Sequence, residues 1–175
     1  MADERHNQAQ SSGKPIAFGE RLAGSEAFRA MFKEGMALVE ETANYLDGEG
    51  RAQSRLLNRG ASLSYATESM RLTTRLMQLA SWLLLQRAVN DGEMPAERAN
   101  TEKAKVKLNG PATVTDGVGW EALPEALRTL ILRSLRLQDL IRRLDGAIDP
   151  SDPAGVNPVA AQIGRLAAAF RQSGK

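Results

Sequence analysis

The stretch SYATESMRLTTRLMQLASWLLLQRAV, residues 64–89, constrains the fold more than any other part of the chain. Leu, Met, Ala, Arg and Gln dominate it, and it lacks Pro and Gly, so it predicts helix throughout. Its second half has no clearly polar face. A helix with one apolar stripe needs one neighbour, whereas a helix that is apolar nearly all round must be covered from several sides. The prediction is therefore an all-α protein with this helix at its centre. At 100° per residue, one arc holds Tyr65, Leu72, Leu76, Leu79 and Leu83. The opposite arc holds Leu63, Ala66, Met70, Met77, Ala80, Leu84 and Ala88. These two arcs suit the two neighbours of a three-helix bundle. A third stripe, Arg71, Arg75, Gln78, Trp82, Leu85 and Val89, would then lie in water. A connected Trp, Leu and Val patch implies a cover: a second copy of the chain, the long loop that follows, or a partner. Because Trp and Arg are favoured at interface centres, these six residues are the candidate dimer or partner interface.

The remaining elements follow from the same periodicity. A first helix spans 25–47, with Ser25 as N-cap and Asp47-Gly48 as a stop in which Gly takes the left-handed conformation. The central helix spans 51–89, with Gly60 as a candidate kink. A third helix spans 124–145, with Pro124 in its first turn and a seam of Leu127, Leu130, Ile131, Ser134, Leu137, Ile141 and Leu144. The first helix is net acidic and the second net basic, which suits antiparallel packing. The fold expected is an antiparallel three-helix bundle over 25–146, with a long flexible loop at 91–121 and flexible termini. Those termini are a leader, 1–24, and a tail, 147–175. Within the tail, after the Pro-rich linker DPSDPAGVNP, residues 158–171 form a short amphipathic segment. Its apolar residues, Val159, Ile163, Leu166 and Phe170, are candidates for docking into a partner groove.

The chemistry of an enzyme is hard to find in this chain. There is no cysteine, and His6, in the leader, is the sole histidine. No nucleophile has a visible base, and no glycine-rich phosphate loop joins a strand to a helix. The reading is therefore non-catalytic, with no cofactor and no metal. Arg51, Arg55 and Arg59 form a basic stripe, and Lys103, Lys105 and Lys107 a short run. A helical nucleic-acid-binding regulator is thus the alternative, but a net charge of +2 makes nucleic acid an unfavoured partner. The start of the chain lacks the apolar core of a signal peptide. The most apolar stretch falls short of the roughly 20 residues that a membrane span requires. A soluble, cytoplasmic protein is expected.

ESMRLTTRLMQLASWLLLQRAV, residues 68–89, following Tyr65, resembles the signature helix of the RcdA family, the bacterial regulators of CtrA degradation. LPEALRTLILRSLRLQDLIRRLD, residues 123–145, is similar to that family too. The resemblance covers the central and third helices well, the first more loosely and the tails hardly at all. It implies a three-helix bundle, a homodimer and an adaptor that helps deliver cell-cycle regulators to the ClpXP protease, together with CpdR and PopA-like factors. It also implies accumulation at the cell pole. It carries no catalytic residues, and it does not assign which residues meet which partner.

Overall fold

A computed structural model describes residues 24–108, 113 and 115–148. Among them every regular element is a helix. Three are long: α1 (Glu26–Asp47), α3 (Arg59–Asn90) and α6 (Glu125–Ile148). Three are short: α2 (Glu49–Ser54), α4 (Ala96–Lys103) and α5 (Gly117–Glu121).

The long helices each pack on the other two. Their meeting point is Gly35. A Cβ there would lie 2.6 Å from Leu83 Cδ1 and 3.4 Å from Leu137 Cδ2, so α1 approaches both neighbours where it has no side chain. Around it, Leu38, Leu72, Leu79, Leu83, Leu127, Ile131, Leu137 and Ile141 are fully buried. These are the periodic apolar positions of the three helices, and burying each is worth about 1.5–3 kcal/mol.

The helix directions differ from the antiparallel arrangement expected. Phe32 lies under Arg87, whereas Gly35 meets Leu83, so α1 runs against α3. Arg133 pairs with Glu41 at 2.6 Å, whereas Leu137 meets Gly35, so α1 also runs against α6. However, Ser64 neighbours Gly119, Arg75 bonds to Ser134 and Trp82 bonds to Asp145. Both sequences rise together, so α3 and α6 run parallel. The reason is the length of the connection. A short turn must return antiparallel, but residues 91–124 are enough chain to go back along α3 before α6 begins.

That connection is not the featureless loop the composition suggests. It contains α4 and α5, and α4 lies on α3 with Ala99 fully buried. The central helix is also not continuous from 51. It breaks at residues 55–58, just before Gly60, where Asn58 takes extended backbone and its side chain accepts from Ala61 N at 2.9 Å. Asn58 is thus a true N-cap, and Gly60 falls in the first turn, where it needs no kink. Gly48, at φ −105°, is not left-handed: its N–H closes α1 on Asn44 O at 3.0 Å and the chain turns at once into α2. Ser25 has N-cap backbone but makes no side-chain cap bond. α6 runs through Asp145-Gly146 to Ile148. The leader, up to residue 23, and the whole 158–171 segment lie outside the described residues.

Candidate partner-binding face

The three stripes of the central helix are the place to look for function, and the structure distributes them differently from the wheel. The Tyr65, Leu72, Leu76, Leu79 and Leu83 arc is buried, as expected. The candidate stripe is buried too. Trp82 is 0 % exposed and Arg75 6 %, while Arg71, Gln78, Leu85 and Val89 are half-buried. These residues do not form an open face. The cover comes from the chain itself, from α6 and from the 91–124 connection. The wheel identifies which residues share a side of a helix, but not which side receives the neighbours.

Under this cover lies a polar seam. Arg75 donates to Ser134 Oγ at 3.0 Å and to Thr113 Oγ1 at 2.6 Å. Ser134 is small enough to admit the guanidinium and donates in turn to Ile131 O at 2.7 Å. Burial pushes the Arg75 pKa below its ordinary value, and Glu68 opposes that shift. Glu68 is itself buried and pairs with the half-buried Arg71 at 2.6 Å. Further along, Trp82 Nε1 donates to Asp145 Oδ1 at 2.7 Å, and Lys103 Nζ sits 4.6 Å from the centre of the indole ring. Lys103 also donates to Gln86 Oε1, whose side-chain amide donates to Asn90 at 2.9 Å. Gln138 and Arg142 of α6 donate to Leu108 O. Charged and amide groups thus tie the connection to the bundle, where apolar residues would have left a periodic signal in the sequence.

The arc left in water is the one expected to pack inside. Leu63, Met70, Met77 and Leu84 are 71, 73, 67 and 52 % exposed. They recur every seven residues, with exposed Ala66 and Thr73 between them. No ionisable side chain interrupts this face from Leu63 to Leu84. Its hydroxyls are partly satisfied within the helix, Thr73 Oγ1 donating to Ser69 O at 2.9 Å and Ser81 Oγ to Met77 O at 2.8 Å. Such a face can be dehydrated with little polar penalty. At its Leu63 end it opens into a shallow groove of about 430 Å³, walled by Glu68, Arg71, Trp120 and Leu123. Its sequence signal was present, a clean seven-residue apolar repeat, but the same repeat also describes a buried seam.

Among the described residues no cluster of His, Cys, Asp or Glu is placed to hold a metal, and no helix is long and apolar enough to cross a membrane. The described residues form an all-helical bundle with an apolar core, a polar seam along one side of α3 and an uncharged apolar stripe outside. Residues 19–170 match a family described as a protein of unknown function, DUF1465. The crystal structure of RcdA from Caulobacter crescentus CB15 is 50 % identical, with a TM-score of 0.56, over 75 % of this chain and 95 % of that one. No curated protein matches. The chain belongs to the RcdA family.

Proposed function

We propose that this protein is a non-catalytic adaptor for regulated proteolysis, delivering cell-cycle regulatory proteins to ClpXP together with CpdR and PopA-like factors. The supporting observation is the uncharged Leu63, Met70, Met77 and Leu84 stripe on a member of the RcdA family. An exposed apolar face of this length suits binding to another protein. It acts in the cytoplasm, concentrated at the pole. The alternative, a nucleic-acid-binding regulator, is not favoured: the exposed stripe of α3 carries no charge, whereas phosphate binding requires a basic face.

The stripe is the homodimer interface in this reading, in place of Trp82 and its neighbours. A seven-residue repeat of Leu and Met is the pattern of a two-helix seam. The small Ala66 and Thr73 between the large residues let a second α3 approach. Val159, Ile163, Leu166 and Phe170 then serve as the docking element for one partner, tethered beyond α6. The test is a degradation assay with purified ClpXP, CpdR and a candidate cargo. Full-length protein accelerates cargo loss. Deletion of Pro158–Lys175 preserves the fold and the dimer but abolishes delivery of at least one cargo. Leu166→Asp with Phe170→Asp does the same, by placing charge in an apolar groove. Equal delivery of every cargo by truncated and full-length chains removes the tail from the mechanism. No acceleration of any cargo by the full chain removes the adaptor reading.

A further inference from the structure

The exposed residues of α3 between Leu63 and Leu84 are arranged symmetrically about a midpoint between Thr73 and Thr74. Leu63 mirrors Leu84, and Met70 mirrors Met77. The small Ala66 mirrors the small Ser81. Large side chains thus reflect onto large ones and small onto small. A two-fold axis sets one patch against itself, so that residue i of one copy meets j of the other and j meets i. An axis crossing α3 at right angles at this midpoint produces those pairings. A parallel pair would also stack Leu on Leu, and the charged ends decide between the two directions. Before Leu63 the chain exposes Arg55 and Arg59, whereas after Leu84 it exposes Asp91 and Glu93. Arg87 offsets one of these two acids, through its pair with Asp91 at 3.2 Å. Antiparallel copies set the acidic end of one helix beside the basic end of the other. Parallel copies set Arg59 beside Arg59 and Glu93 beside Glu93, and such like-charge pairs are repulsive. The partial charges at the two ends of α3 add to the same preference.

We infer that a second copy of the chain occupies this face with its α3 running antiparallel, the two-fold axis passing between Thr73 and Thr74. The inference rests on the homodimer reading of the stripe and adds its direction and register. It also fixes where the rest of each chain emerges. α6 runs parallel to α3 and brings Asp145 to Trp82, so the chain beyond Ile148 departs from the Leu84 end. In the antiparallel pair the two departures lie at opposite ends of the seam, about 32 Å apart along it at 1.5 Å per residue. A parallel pair would release them side by side. Each docking tail is then placed to serve its own partner molecule.

The chain has no cysteine, so single cysteines report direction and register without background. The test uses full-length Ala66→Cys, Thr74→Cys and Ser81→Cys chains, each replacing a small exposed residue. In the antiparallel pair Thr74 lies beside its own copy. Ala66 lies about 22 Å along the seam from its copy, far beyond the roughly 7 Å between Cα atoms that a disulfide spans. Under mild oxidation Thr74→Cys alone forms a disulfide-linked dimer. Ala66→Cys and Ser81→Cys each stay largely unlinked alone. Incubated together to exchange subunits, they link severalfold faster than either does by itself. If Ala66→Cys links to itself as fast as Thr74→Cys, the antiparallel direction is overturned and the stripe remains the interface. If the wild-type chain is dimeric in sedimentation equilibrium but none of the three cysteines links, the interface lies elsewhere and the inference fails with the stripe. A monomeric wild-type chain overturns the homodimer reading itself.

Discussion

At Tyr45, a single hydroxyl reports on the upper end of the bundle. It is buried beside Tyr65 and donates to Gln53 Oε1 at 2.9 Å, joining α1 to α2. Burial pushes its pKa up to about 12, with smaller contributions from Tyr65 and Glu49. The folded state therefore prefers the neutral phenol more than the unfolded chain does. That preference contributes its full stability below pH 10 and is lost as pH rises through 10 towards 12. Tyr45→Phe should flatten this part of the profile, as measured by urea midpoints between those limits, even though it also loses the Gln53 bond. A variant whose midpoint falls as steeply as the wild type's would place the titration elsewhere. Trp82 carries a different lesson at the same scale. With its ring fully buried and its N–H on Asp145, Trp82→Glu buries a charge and tests folding, not assembly. Its expected outcome is loss of the cooperative thermal transition, with no folded monomer recovered in sedimentation.

The helix elements owe their ends to local side-chain chemistry more than to hydrophobic patterning. Between Ser54 and Arg59 nothing in the apolar periodicity interrupts the helix, yet the chain leaves helical geometry. Ser54 Oγ donates back to Arg51 O at 3.0 Å, and Asn58 Oδ1 accepts from one free N–H of the first turn of α3, that of Ala61. Once α2 and α3 are separate, α2 can fold over the Tyr45 and Tyr65 end of the bundle without following the axis of α3. Replacing Asn58 by Ala should cost about 1 kcal/mol in chemical denaturation. Its effect should concentrate in the exchange of the first turn of α3, leaving the centre of the helix untouched. A loss below a few tenths of a kcal/mol would show that packing alone holds the break, with the cap incidental. The same competition explains Thr73 and Ser81, whose hydroxyls turn onto their own helix and leave an outward face behaving as apolar.

For the whole molecule, the decisive feature is the parallel pair α3 and α6. It requires a long crossover, the crossover takes the Trp82 side of α3, and the Leu63, Met70, Met77 and Leu84 side is left exposed. The dimer proposed through that side predicts a clear separation of folding from assembly. Met70→Glu with Met77→Glu should leave helicity and the thermal midpoint close to wild type, since both residues are about 70 % exposed. The same pair should convert the dimer to monomer in sedimentation equilibrium, because two like charges would face their own copies across the seam. A dimer that survives both substitutions would move the interface away from α3. Salt offers a second discriminator: an apolar seam should hold as salt rises, whereas binding to nucleic-acid phosphates weakens steeply.

Much of this was written in local pattern. Apolar spacing sets out three long helices, because a helix buries whatever recurs every three or four residues, whichever neighbour it meets. Phe28, Leu38, Leu72, Leu79, Ile131 and Ile141 lie in the core for that reason. The block from Glu68 to Val89 was specific enough to place the chain in its family. Three things were decided only in three dimensions. The directions of α3 and α6 depend on where the connection travels, and no local residue encodes that. The cover of the Trp82 stripe is made by Ala99, the stem of Lys103 and bonds to Leu108 O and Thr113, polar or small groups that leave no periodic trace. The choice of which apolar arc of α3 meets water follows from those two. Hydrophobic repeats record that a face will be dry, but its partner is settled by how the chain returns, and here the chain returns over Trp82.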